Sequence, residues 1–484
     1  MSLSDAIQSK APGSNGPAFG DLPRALGPWH AAAIVVGTII GSGIFLVPYE
    51  MMRAVGSAHL LYLAWIVGGA LTFCGALTYA ELSARMPSTG GEYVYLRGAY
   101  GDLPAFLYMW TWFAVAKPAS IATVAVGLAR TLGVFHGFAW LDTVALAWPF
   151  DIRWTQLFSI VVLWLITGLN VLGIRRAGDF QLFFTWLKVL LVVLIVGFCF
   201  ASPHGNSTHF FSSFAGAQKG WAGFMTALIA ALWAYDGWND LTMVAGEVRS
   251  PARSLPVALI AGVAVVAVLY MATNAAIQYI LPAAAIANSP RPAVAAMQAV
   301  SGSWGAGLVS AAMALSVLVT LNGTAMSGAR IPFAAARDRL FFTRMAHVHP
   351  RFQSPSTSLY VQAALSTLLL LAVGRFQQLF ELAIFAEWLF YMVTASTVFV
   401  YRRRQGPVGG AATFRAWGYP VLPAVFILAA AVLLYSSFVQ NLPNSLLGLA
   451  VILFGVPLYF FFRRRNSADN EPDNIQDLRR TISS

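Results

Sequence analysis

Apolar runs long enough to cross a bilayer recur along nearly the whole chain, from about residue 29 to 462. A spanning helix needs roughly 20 consecutive, mainly apolar residues. Twelve such spans are read at approximately 29–54, 58–85, 103–131, 154–174, 178–201, 219–247, 254–281, 304–333, 357–374, 378–401, 420–440 and 444–462. Only 10% of the residues are charged and 58% are hydrophobic, whereas a water-soluble domain carries about 25% charge. The expected fold class is therefore all-α integral membrane, with about 12 transmembrane helices and no soluble catalytic module.

The flanks read differently. Residues 1–28 are polar, rich in Gly, Ser and Pro, and lack the basic, apolar, small order of a cleavable signal peptide; a disordered cytosolic N-terminus is expected. Residues 463–484 read as a short polar cytosolic tail. The net charge of +11 is read loop by loop. With the N-terminus in the cytosol, Arg175 and Arg176, Arg249 and Arg253, Arg402 to Arg404 and Arg463 to Arg465 fall on the cytosolic side, while the opposite loops keep chiefly Arg53, Arg153, Arg291 and Arg375. That distribution obeys the positive-inside rule with both termini cytoplasmic. An anionic lipid surface accounts for the charge, so no nucleic acid partner is expected. Cys74 and Cys199, each inside an apolar run, supply neither a disulfide framework nor a thiolate metal site.

Two spans are interrupted at corresponding places in the two halves. Span 1 contains Gly37-Thr-Ile39-Ile-Gly41-Ser42-Gly43-Ile-Phe45, and span 6 contains Ala234-Tyr-Asp236-Gly237-Trp-Asn239-Asp240. Glycine weakens a helix by about 1 kcal/mol relative to alanine. The first break alone is also explained as a small-residue packing seam. Its counterpart in span 6 instead points to a transporter with inverted repeats, in which unwound backbone lines a polar cavity at mid-membrane depth. Such a site suits a ligand bearing a carboxylate and an ammonium on one carbon. The amides of Ser42 and Gly43 begin the outer half of span 1, where the helix dipole favours an anion. Carbonyls at Ile39 and near Trp233 and Asp236 are expected to receive the ammonium.

Four ionisable residues, Lys117, Lys188, Asp236 and Glu387, lie near the middle of their spans. Charge at that depth costs on the order of 2.5 to 3.5 kcal/mol and marks function. Lys188 reads either as a tether for freed carbonyls of span 1 or as a proton carrier. Asp236 reads as a stabiliser of the unwound turn or as an ammonium contact, and Glu387 as a structural group or a proton-linked carboxylate. Pro290-Arg-Pro292 reads as an external loop preceding a short helix. The sequence offers no phosphate loop, nucleophile elbow or metal-ligand spacing, so no cofactor, metal or enzyme activity is expected.

In combination, Gly37 to Phe45, Trp233-Ala-Tyr-Asp-Gly-Trp-Asn239 with Gly246-Glu247-Val248, Tyr79-Ala-Glu81, Pro87-Ser-Thr-Gly-Gly-Glu-Tyr93, Lys117-Pro118, Thr185-Trp-Leu-Lys188 and Ser327-Gly-Ala-Arg330 resemble the amino acid, polyamine and organocation (APC) superfamily. The resemblance is to the L-type amino acid transporters and their bacterial relatives, and it covers spans 1 to 10 in order. It implies a LeuT-like fold with a 5+5 inverted repeat over residues 29–401; spans 11 and 12, over 402–462, are read from hydropathy alone. It implies substrate contacts from Ile39, Ser42 and Gly43 on span 1, Trp233, Asp236 and Asn239 on span 6, and Phe385 on span 10. Lys188 matches a lysine that, in similar transporters, occupies the place of a sodium ion, which argues against sodium coupling and leaves exchange or proton symport. Lys117 and Glu387 are assigned to coupling or structure. The loop from Thr131 to Arg153 lacks the cysteine by which animal members bind a heavy chain, so no covalent subunit is expected and a prokaryotic inner membrane is. Neutral L-amino acids are the expected substrate, with cationic amino acids or polyamines as the alternative and a non-transporting amino acid sensor behind both.

Overall fold

The computed structural model describes residues 22–133, 135–147, 151–372, 376–405, 414–440 and 442–468. Residues 1–21 of the expected loose N-terminus, the expected outer-loop cation Arg375, and tail residues 469–484 lie outside the described residues. Each expected span has its helix: Pro28–Ile39 with Gly43–Val55 (span 1), Ala58–Arg85 (2), Asp102–Leu132 (3), Trp154–Val171 (4), Ile174–Ala201 (5), Gly220–Ala234 with the short Asp240–Met243 (6), Pro251–Ile280 (7), Pro292–Arg337 (8), Ser356–Ala372 (9), Phe376–Gln405 (10), Val421–Gln440 (11) and Leu442–Ala468 (12). Side chains such as Leu165, Val268, Leu428 and Phe454 are exposed on the outer faces, where acyl chains rather than water are the solvent.

Two boundaries differ from the sequence reading. Span 8 is preceded without a gap by the short helix that Pro292 opens, and a kink at Ser301 and Gly302 (φ 65°) separates the two segments. Leu22 to Gly27, read as part of a loose N-terminus, are packed instead. Leu26 is fully buried, its amide donates to the Glu247 carbonyl at 3.0 Å, and its carbonyl accepts from the Arg249 amide at 2.8 Å. Two leucines spaced four apart give this segment apolar surface to bury beneath the end of span 6.

The interruptions sit where the sequence puts them. Ile40 leaves helical geometry at ψ 90°, and the outer half of span 1 restarts at Gly43. Freed carbonyls inside a bilayer need donors, because each unsatisfied group costs several kcal/mol there. Polar residues on neighbouring spans supply them. Lys188 of span 5 donates to Gly37 O (2.7 Å) and Ile40 O (2.6 Å), and Ser316 of span 8 donates to Ile40 O at 2.7 Å. The Tyr270 hydroxyl of span 7 lies 3.0 Å from Ile39 O and 2.8 Å from Ala234 O, so it shares one hydrogen between the two breaks. Trp65 of span 2, fully buried, meets Tyr235 and Tyr270 edge-on at 5.6 and 5.2 Å, the geometry that aromatic quadrupoles favour.

The breaks also touch each other, since Thr38 Oγ1 lies 2.8 Å from Gly237 O and 2.7 Å from Ile34 O of its own helix, sharing one hydrogen between them. Gly237 has φ +97°, and a Cβ there would lie 3.1 Å from the Thr38 backbone. Gly237→Ala is therefore expected to cost about 1–2 kcal/mol for the left-handed backbone and to push the breaks apart. The check is the melting temperature and monodispersity of detergent-extracted protein; a melt matching the unsubstituted chain would contradict it.

Candidate functional site

Between the two breaks and spans 3, 8 and 10 lies a cavity of about 200 Å³. Seven of the ten residues singled out from the sequence line it: Ile39, Ser42, Gly43, Trp233, Asp236, Lys117 and Glu387. It extends along span 3 from Trp112 to Gly127, toward the loop joining spans 3 and 4. Ser42 sits at the N-cap of the helix Gly43–Val55, so first-turn amides without helical acceptors face the cavity's end of that helix. A terminus of that kind is chemically suited to an anion. The Ile39 carbonyl, expected to receive an ammonium, already accepts from the Gly41 amide at 2.8 Å and from Tyr270, because the bilayer leaves no backbone group unpaired.

Three residues lie elsewhere. Lys188 is fully buried behind span 1, on the carbonyls of Gly37 and Ile40. Asn239 is 1% exposed and turns away from the cavity, donating through its amide nitrogen to Glu92 Oε1 at 2.9 Å. Phe385 is buried on span 10 and does not belong to the lining, which Glu387 reaches instead.

Lys117 owes its place to a defect in its own helix. Residues Trp112–Ala116 form a π turn, and the Lys117 amide donates to Trp112 O, five residues back. Pro118 follows and brings no N–H, so widening the preceding turn accommodates the missing bond; such bulges cluster at functional positions. The Lys117 ammonium meets Asp240 Oδ1 at 2.5 Å. Across the cavity floor, the Tyr391 hydroxyl lies within hydrogen-bonding distance of Asp236 and Glu387, at 2.8 and 3.0 Å. Carboxyl groups thus outnumber cations here, with Lys117 engaged by Asp240.

Beneath the cavity, Glu92 opens the helix Glu92–Tyr100 between spans 2 and 3. Burial pushes its carboxyl up to about 7, against the opposing hydrogen bond from Asn239. The same helix is held to the end of span 8: Tyr93 donates to Asp338 at 3.0 Å and Arg97 pairs with Asp338 at 2.6 Å.

Sequence reasoning did not select Asp240, Tyr391, Glu92, Tyr270 or Ser316. Signals for some of them were present. Asp240 and Tyr391 each follow a selected acid by four residues, the spacing that shares a helix face.

A family model described as amino acid permease matches residues 26–458. The chain is similar to the serine/threonine exchanger SteT of Bacillus subtilis, 29% identical over 450 residues, which span 92% of this chain and 98% of that protein. It is similar to the b(0,+)-type amino acid transporter 1 of Oryctolagus cuniculus, 30% identical over 80% of this chain and 78% of that one. The human cystine/glutamate transporter is 27% identical over 90% of this chain and 84% of its own length. The family match takes in both interrupted spans and every residue lining the cavity, and the chain belongs to the amino acid permease family.

Proposed function

We propose that this protein is a sodium-independent amino acid transporter, with neutral L-amino acids as its first substrates, working by alternating access of the two broken spans against the remaining helices. The observation that carries the reading is the cavity itself: a helix N-terminus at Ser42 and Gly43 faces carboxyl groups of Asp236 and Glu387 across a space of about 200 Å³. An amino acid's carboxylate suits the first and its ammonium the second. Lys188 fills the position on the Gly37 and Ile40 carbonyls, which supports transport without sodium. The names of the relatives, all exchangers or transporters of amino acids, support the same class.

The protein is a multi-pass membrane protein. The clustering of Arg402 to Arg404 and Arg463 to Arg465 at the ends of spans 10 and 12 supports cytoplasmic termini in an inner or plasma membrane. Without a cysteine between Thr131 and Arg153, a covalently bound heavy chain has no attachment there, and the chain works without one. A second reading, transport of cationic amino acids or polyamines, is favoured by the surplus of carboxyl groups over cations at the cavity floor.

Uptake of labelled amino acids into proteoliposomes, preloaded or empty, with and without sodium or a pH gradient, tests the proposal. Absence of flux for every amino acid and amine would refute it. Within that assay, Asp236→Gly is expected to change the preference between a cationic and a neutral amino acid by roughly tenfold, equivalent to about 1.4 kcal/mol of differential binding. Protein abundance should change less. An unaltered profile assigns Asp236 to the backbone turn alone.

A further inference from the structure

One phenol stands among three acceptors. The Tyr391 oxygen lies 2.8 Å from Asp236 Oδ1, 3.0 Å from Glu387 Oε1 and 3.1 Å from Asn239 Oδ1, and the Asn239 nitrogen lies 2.9 Å from Glu92 Oε1. A phenol has one hydrogen to give and two lone pairs to receive with. It therefore donates in one of the three contacts and accepts in the other two. Oxygens this close with no proton between them repel, and more strongly in a low-dielectric interior.

The amide of Asn239 has two orientations, because its oxygen and nitrogen exchange places by rotation. With the oxygen toward Tyr391, the phenol donates to Asn239, and both Asp236 and Glu387 must carry a proton to donate to the phenol. With the nitrogen toward Tyr391, the phenol donates to one of the two carboxylates and the other must be protonated. The amide oxygen then faces Glu92, which must be protonated as well. Both orientations satisfy every contact, and both require two protons among three carboxyl groups.

The surroundings do not supply an alternative counter-charge. Among the described residues, Lys117 is the cation whose field reaches Asp236, Glu387 and Glu92, and its ammonium closes on Asp240 at 2.5 Å. Near Glu92, span 2 places Tyr79, span 3 places Tyr108, and the helix of Glu92 itself carries Tyr95, and none of these three hydroxyls makes a hydrogen bond among the described residues. All three are neutral phenols.

We infer that Asp236, Glu387 and Glu92, joined through Tyr391 and Asn239, form a two-proton binding site, and that transport through the adjoining cavity carries protons. The two amide orientations differ by the position of one proton: Asp236 or Glu387 loses it and Glu92 gains it, while Tyr391 and Asn239 keep their own hydrogens. That exchange carries charge from the cavity to a group on the helix bound through Tyr93 and Arg97 to the end of span 8. The value of about 7 to which burial raises the Glu92 carboxyl suits a group that takes and releases a proton near neutrality. The site rests on the donor count, and its link to flux rests on the proposed amino acid transport.

Infrared spectroscopy of the purified protein in lipid vesicles tests the site without reference to any substrate. At neutral pH a carboxylic-acid carbonyl band is expected, disappearing as pH is raised; D236N or E387Q should each diminish it, with E387Q removing about half in line with the count of two, and E92Q should diminish it to the extent that the amide oxygen faces Glu92. No acid band in the unsubstituted protein at neutral pH overturns the inference even if every variant misfolds. A band untouched by all three substitutions, in variants that melt normally, also overturns it. The link to flux is read in proteoliposomes with an entrapped pH dye, where labelled amino acid uptake should be accompanied by a change of internal pH that a protonophore abolishes. Amino acid flux with no pH change removes the link. An acid band in a protein that carries no amino acid would overturn the transport reading and leave the proton site standing.

Discussion

Replacing Lys188 by alanine is expected to lower amino acid uptake at least about tenfold while full-length protein still reaches the membrane. The side chain is fully buried in the middle of span 5, roughly 20 Å from either end at 1.5 Å per residue, which is too deep for its ammonium to reach water. What it reaches is Gly37 O and Ile40 O, at 2.7 and 2.6 Å. Thr320 and Ser316 approach the same carbonyls, at 3.2 Å and 2.7 Å, so the break is not stripped of donors when the lysine goes. This is why folding should survive. The geometry of the break should not, since an under-satisfied buried polar group costs about 1–3 kcal/mol and each 1.4 kcal/mol on a rate-limiting barrier is a factor of ten. Lys188→Met separates the two contributions of the side chain, because it keeps the bulk of the stem and removes the donors. Loss of flux in both variants assigns the effect to the hydrogen bonds, and loss in alanine alone assigns it to packing. A tether leaves the pH dependence of any residual flux unchanged, whereas a proton carrier alters it. Near-normal uptake by both variants would show that the lysine is merely a tolerated buried base.

Much of this arrangement was legible in the sequence because a bilayer punishes ambiguity. An apolar run long enough to span has few other uses, and a Gly-Ser-Gly or an Asp-Gly inside one must be accounted for by a cavity or a close helix contact. The twelve spans, both breaks and seven lining residues followed from that logic. The partner of Lys117 did not. Asp236 and Asp240 lie one helical turn apart on paper, and only the observed distances give the ammonium to Asp240. Asn239 was placed on the wall by its position in the motif, yet the five residues from Tyr235 to Asn239 are a turn rather than a helix, so the 100° advance that assigns faces no longer applies. Phe385 lies outside the lining for the opposite reason. Span 10 is regular, and residues two apart on a helix point roughly 200° apart, so Glu387 in the cavity excludes Phe385 from it. The buried Leu26 and the kink at Ser301 escaped because short apolar spacing and a lone Ser-Gly are common in segments that do neither.

Glu247→Gln is expected to destabilise the protein more than any other single change proposed for it. Glu247 and Arg330 both have no exposed side-chain surface. The guanidinium donates through Nε to Oε1 at 2.9 Å and through Nη2 to Oε2 at 3.1 Å, and Nη1 donates to the Met326 carbonyl at 2.7 Å. The pair joins the turn that ends span 6 to the inner end of span 8. Desolvating two ions costs several kcal/mol each, which this bidentate geometry offsets only while both are present. Glutamine preserves the shape and one acceptor but leaves the arginine charge buried and uncompensated, at a cost of about 3–5 kcal/mol. The expected fall in melting temperature is about 3–5 °C. The pair itself, in contrast, need not be a net stabiliser, since apolar replacements of similar volume are often neutral or better. Arg330→Met combined with Glu247→Met should therefore melt closer to the unsubstituted protein than Glu247→Gln does. If the double variant instead loses the sum of the two single losses, uncompensated charge is not the cause and local packing is. A double variant that recovers its melt but not its uptake would assign the ion pair a second task, keeping the broken span in register with span 8 as the cavity opens and closes.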